Sequence, residues 1–124
     1  MARLGELERA VMEVLWSADA PRTAREVADS LANRELAKTT VLTVLSRLES
    51  KGRVERCRDR WAHTYTPTAT REDYIAELMD EALGDAADRT AALVRFAGRV
   101  SPEEAAALSG ALDQALRRAG KASA

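Results

Sequence analysis

Residues 36–51 read Leu-Ala-Lys-Thr-Thr-Val-Leu-Thr-Val-Leu-Ser-Arg-Leu-Glu-Ser-Lys, a pattern that predicts a helix with two incompatible faces. At about 100° per residue, Val41, Val44, Leu45 and Leu48 fall within one arc of roughly 100°. Thr39, Thr40, Thr43, Ser46 and Arg47 cover the opposite side. A solvated helix face ordinarily carries glutamate–lysine pairs, yet no acid lies between Lys38 and Leu48. Hydroxyls and a guanidinium suit phosphates and base edges, and short side chains let a helix sit deep in a groove. The stretch is therefore a candidate DNA recognition helix. Thr39, Thr40, Thr43, Ser46 and Arg47 are its candidate contacts, and the long stem of Lys38 reaches for backbone phosphate from the helix N-terminus. The plainer alternative is that β-branched residues merely tolerate a wet surface.

The flanking residues supply a frame for such a helix. A first helix is expected from about Gly5 to Trp16, with Leu4, Leu7, Val11, Val14 and Leu15 on one stripe and Glu6, Glu8, Arg9 and Glu13 elsewhere. Thr23-Ala-Arg-Glu26 is a capping box that starts a second helix running to about Ala32, with Val27 and Leu31 inward. Gly52 is placed to end the third helix. Val54–Arg58 and Ala62–Thr66 then flank Asp59-Arg60-Trp61 as two short extended runs around a tight charged turn, and Pro67 stops the second run. Three helices followed by a basic hairpin make a winged helix-turn-helix over residues 1–68, within a mainly α chain. Arg58 and Arg60, at the tip of the wing, are expected to meet phosphate or the minor groove. Trp61 is expected to pack under the wing, the alternative being contact with the sugar backbone, and Cys57, alternating with Arg56 and Arg58, is expected to face the core.

Residues 69–124 are helical in pattern throughout. Ile75, Leu78 and Met79 fall together, as do Leu93, Phe96 and Val100. Ser101-Pro-Glu-Glu104 is a second capping box, leading a helix striped by Leu108, Leu112 and Leu116 that frays from Lys121. Three one-sided helices in so short a span close no good core alone. These nine residues are therefore the candidate interface of a homodimer, and the region a helical dimerisation domain. The competing arrangement folds the helices back on the winged helix as ordinary core. Two heads about 34 Å apart would read a two-fold symmetric site with far more discrimination than one.

Composition narrows the function classes. The chain of 124 residues is 46% hydrophobic and 31% charged, with no apolar run long enough to span a bilayer and no apolar core at its N-terminus. A cytoplasmic protein without membrane insertion is expected, and the single cysteine fits a reducing compartment. The net charge of −1 conceals an asymmetry: residues 1–68 hold 12 basic and 10 acidic side chains, residues 69–124 hold 7 and 10. Eight bases against four acids lie in residues 34–60, on and just after the hydroxyl-rich helix. One histidine, His63, and one cysteine make a poor metal site, so no metal and no cofactor are expected. No nucleophile–base pair or glycine-rich phosphate loop suggests an enzyme.

Leu4-Gly-Glu-Leu-Glu-Arg-Ala-Val-Met-Glu-Val-Leu-Trp16, Thr39-Thr-Val-Leu-Thr-Val-Leu-Ser-Arg-Leu48, Lys51-Gly52 and Arg60-Trp-Ala-His-Thr-Tyr-Thr-Pro67 resemble the BlaI/MecI/CopY family of bacterial repressors. The resemblance runs through most of residues 4–100. It implies a dimeric winged-helix repressor of double-stranded, palindromic operator DNA, of the kind that controls β-lactam-response genes. In the copper branch of the family a C-terminal cysteine pair holds cuprous ion; this chain ends Arg117-Arg-Ala-Gly-Lys-Ala-Ser-Ala124, without those thiolates. In the β-lactam branch a membrane-bound sensor metalloprotease triggers cleavage at an Asn-Phe bond in the dimerisation region. The matching position is Arg95-Phe96, which keeps the phenylalanine and lacks the asparagine. The alternative function is a winged-helix protein-interaction module. Interaction surfaces favour exposed aromatic and aliphatic anchors, whereas residues 39–47 offer mainly hydroxyls and an arginine.

Overall fold

A computed structural model describes residues 3–34 and 36–123. The elements in chain order are α1 (Glu6–Ser17), β1 (Arg22–Thr23), α2 (Ala24–Ser30), α3 (Lys38–Ser50), β2 (Val54–Arg58), β3 (His63–Pro67), α4 (Arg71–Gly84), α5 (Arg89–Ala97) and α6 (Pro102–Ser123). The chain falls into two compact units, residues 1–81 and 82–124. The expected boundary at 68/69 lies inside the first of these.

In the first unit α1 and α2 pack against α3. Val41, Val44, Leu45 and Leu48 are buried, the arc expected from the helical period. They meet Val11, Met12 and Leu15 of α1, Val27 and Leu31 around α2, and Val54 and Tyr65 of the hairpin in one core. The capping box of α2 forms as expected: the Glu26 amide donates to Thr23 Oγ1 at 3.1 Å, and the Thr23 amide donates to Glu26 Oε1 at 2.9 Å. Gly52 adopts φ +75°, a left-handed conformation that favours glycine and turns the chain from α3 into β2. The hairpin pairs Val54 with Pro67 and Arg58 with His63, and β1 adds to its other edge to give the antiparallel order β1-β3-β2. A two-residue strand is too short to leave a period-2 signature, so β1 was not expected.

The stripe on α1 is rotated from the expected one. Leu7 is exposed and Val14 half-buried, while Met12 and Glu8 take the inner positions. Glu8 is tolerated there because it is fully engaged. Its carboxylate accepts from Lys51 Nζ at 2.8 and 2.9 Å and from the Gly5 amide at 3.0 Å. The Lys51 hydrogen bond is the main influence holding the Glu8 carboxyl below its ordinary pKa; burial opposes it, and the Gly5 amide adds to it.

The first half of α4 belongs to the first unit. Tyr74 is buried, and its hydroxyl accepts from the Leu4 amide at 2.9 Å. Its ring stacks at 5.5 Å on Trp16, with the Arg9 guanidinium 5.1 Å from its centroid. Arg71 pairs with Glu13 at 2.8 Å, Arg53 with Glu77 at 2.8 Å, and Trp16 Nε1 donates to the Ala69 carbonyl. The first half of α4 therefore folds back on the winged helix, chiefly through Tyr74 and its polar neighbours, with Leu78 packed partly against the same core and Ile75 and Met79 left exposed. Thr70 caps α4 by exchanging hydrogen bonds with Asp73.

In the second unit α5 starts at Arg89, where Asp88 caps it by accepting the Ala91 amide at 3.0 Å. Ser101 and Glu104 form the expected capping box at the start of α6. That helix continues to Ser123 rather than fraying at Lys121. No described residue of this unit is buried.

Candidate nucleic-acid interface

The core decides which side of α3 is presented. With Val41, Val44, Leu45 and Leu48 fully inward, Lys38, Thr39, Thr43, Ser46 and Arg47 are exposed, and Thr40 is half-buried at the edge of the face. Thr43 Oγ1 donates to the Thr39 carbonyl at 3.0 Å. Its proton is thereby used within the helix, leaving a methyl and an acceptor lone pair outward. Lys38 and Arg47 form no ion pair among the described residues, although Arg47 lies near enough to Glu8 to help keep its carboxyl ionised. Ala37 precedes the helix without a side-chain cap, so the positive end of α3 is open to an outside anion. Leu42, 39% exposed, lies on the flank of the same face. It was not among the expected contacts, although its position outside the buried arc marks it on a helical wheel, and an aliphatic group there suits a thymine methyl.

The wing carries its cations on one side. Val54, Arg56 and Arg58 alternate onto the face that also holds Tyr65 and His63 across the ladder. Val54 and Tyr65 are buried at its base, whereas Arg56 and Arg58 lie beyond the core and are exposed. Arg56 is 3.5 Å from Glu49, which ties the wing to the C-terminal end of α3. Arg58 and Arg60 form no ion pair among the described residues, as a phosphate-seeking tip requires.

Two wing residues sit differently from expectation. Cys57 is exposed, because core-facing parity belongs to Val54 and Tyr65 and so excludes position 57. Trp61 is 92% exposed rather than packed beneath the wing, since the turn projects beyond any surface that could cover it. His63 is an exposed strand residue, and the described residues contain no cluster of three metal-ligating side chains.

The candidate dimer residues form exposed apolar stripes. In the first unit Ile75 and Met79 are exposed, while Leu78 is partly covered by the core beneath it. In the second unit Leu93, Phe96, Leu108, Leu112 and Leu116 are exposed and Val100 is half-buried. Val94, 67% exposed, was not anticipated. Arg95 and Phe96 lie in the last turn of α5, where the Gly98 amide donates to the Arg95 carbonyl and the Arg99 amide to the Phe96 carbonyl. No described helix is long and apolar enough to cross a membrane.

Comparison with known proteins agrees with this geometry. A family model described as penicillinase repressor matches residues 4–114. A protein of Mycobacterium tuberculosis (strain CDC 1551) named transcriptional regulator BlaI is 51% identical over 116 residues, covering 90% of this chain and 84% of that relative. Among solved structures, a MarR family protein from Bacillus stearothermophilus superposes with a TM-score of 0.50 at 19% identity, covering 94% of this chain and 76% of its own. The transcriptional regulator Tm0710 from Thermotoga maritima gives a TM-score of 0.50 at 18% identity, covering 94% and 77%. At such identities the two structures bear on the fold alone.

Proposed function

Because the chain belongs to the penicillinase repressor family, we propose that it is a transcriptional repressor that binds a palindromic operator in duplex DNA as a homodimer. The observation that carries this reading is the outward face of α3, where Thr39, Thr43, Ser46 and Arg47 are exposed while four aliphatic residues anchor the helix from behind. The helix enters the major groove with Arg47 as its fork, Thr39, Thr40, Thr43 and Ser46 as short contacts and Lys38 on phosphate. Arg58 and Arg60 grip the neighbouring backbone. Residues 1–68 form the DNA-binding part, supported by the first half of α4, and the helices of residues 69–124 pair the two copies.

The exposed stripe on α6 supports the pairing. Leu108, Leu112 and Leu116 recur along one side of a helix that has no buried residue of its own, and covering such side chains is worth roughly 1.5–3 kcal/mol each. The regulated genes are of the β-lactam-response kind, and the release signal is cleavage at Arg95-Phe96 by a membrane-bound sensor metalloprotease. Both bonds flanking that peptide are held in a helical turn, so α5 must open locally before a protease can bind it. A cut there would separate α6 from the head and remove the cooperative second half-site.

A salt titration tests the reading. Duplex affinity should fall with a log–log slope of about −0.9 for each phosphate neutralised. A chain that binds no duplex even at low salt would instead be a protein-interaction module.

A further inference from the structure

Trp61 is the most exposed large apolar side chain in the described structure, at 92%, and it occupies the turn of the wing between the two strands. The turn is closed by its own bonds: the Asp59 amide donates to the Ala62 carbonyl at 2.9 Å, and the Arg60 amide donates to Asp59 Oδ1 at 2.8 Å. Nothing in the fold requires an indole at that point, and a fully wet indole is an unfavourable way to finish a turn. Its neighbours are cationic: Arg58 and Arg60 are exposed within three residues of it, and Asp59 is engaged in the turn. The hairpin is anchored beside α3 through the Arg56–Glu49 pair.

We propose that Trp61 is a DNA-contacting residue, inserted by the wing into the minor groove beside the half-site read by α3. The proposal rests on the repressor reading above. Two arginines close in sequence to a flat apolar ring suit a groove walled by phosphates and floored by sugar and base edges. The arginines neutralise the walls, and the ring covers deoxyribose carbons or leans against a partly opened base step. A protein partner would be expected to meet this ring with apolar surface, whereas the charge around it complements a polyanion. Flexible pyrimidine–purine steps at the wing position should accordingly bind best, without any base-specific hydrogen bond.

The test uses the full chain and a fluorescein-labelled mixed-sequence duplex at low salt. Duplex addition should shield the acrylamide-accessible tryptophan emission, and Trp61→Phe should remove the unshielded signal from the free protein while leaving Trp16 as reference. Trp61→Ala should weaken binding at least about fivefold with an unchanged salt slope, and Trp61→Phe should recover part of the loss. Arg58→Ala should lower the salt slope by about one. If anisotropy shows the duplex bound while Trp61 stays accessible and Trp61→Ala binds like the parent, the proposal is overturned and the repressor reading stands. If no version binds the duplex, both fall together.

Discussion

Tyr74 is expected to hold the DNA-binding unit together from outside the winged helix, so its removal should be felt by the whole head. The ring is 3% exposed and lies against Trp16 and Arg9, and its hydroxyl is the acceptor for the Leu4 amide. Tyr74→Ala should cost about 3–5 kcal/mol, the usual loss for deleting a buried aromatic ring. Tyr74→Phe keeps the ring but strands the amide, for about 1–3 kcal/mol. Small domains are stable by only about 5–15 kcal/mol, so the alanine variant loses a large share of the total. A fragment ending at residue 68 suffers the same loss and also forfeits the Arg71–Glu13 and Arg53–Glu77 pairs, whereas one ending at residue 81 keeps them all. Urea unfolding followed by far-ultraviolet circular dichroism measures the difference. The shorter fragment should unfold at a midpoint lower by more than about 1 M. Equal midpoints for the two fragments, or a Tyr74→Phe variant as stable as the parent, would refute the role assigned to α4.

Other consequences can be checked on the intact chain. The folded protein releases the Glu8 proton more readily than the unfolded chain does, so the Glu8–Lys51 contact stabilises the fold at neutral pH and loses its effect as pH falls through the ordinary carboxylate range near 4. Glu8→Gln should cost about 1 kcal/mol at pH 7, a figure kept low because Lys51 is half exposed, and progressively less as the pH is lowered below the ordinary carboxylate range; a loss in denaturant melts that does not shrink on acidification would contradict the assignment. Leu108→Asp combined with Leu112→Asp should convert the proposed dimer to monomer in sedimentation; a persistent two-chain species would place the interface elsewhere. Arg47→Ala should weaken operator binding by about 1–3 kcal/mol, read by fluorescence anisotropy, and unchanged affinity would remove Arg47 from the contact surface.

What the sequence made legible was local. The inward arc of α3 follows from the helical period, and the caps at Thr23 and Ser101 follow from residues three apart whose partners are their own neighbours. What it hid was set at long range. Glu8 looks like a surface acid until Lys51, 43 positions away, closes on it, and Tyr74 reads as an ordinary helical residue until the Leu4 amide, 70 positions away, reaches its hydroxyl. Cys57 was hidden differently. Alternation correctly separates two faces of a strand but does not say which is inner, and only the burial of Val54 and Tyr65 decides that. For the interface, the face of α3 could be read in advance because burial on one side determines the other, whereas Leu42 was overlooked among hydroxyls.

The short edge strand β1 fastens the middle of β3 by pairing Arg22 with Tyr65 and Thr23 with Thr64, and it stops short of the turn at residues 59–62. β3 is thereby held along both edges, while the turn closes on its own hydrogen bonds. A substitution within that turn should therefore leave the pairing of all three strands in place.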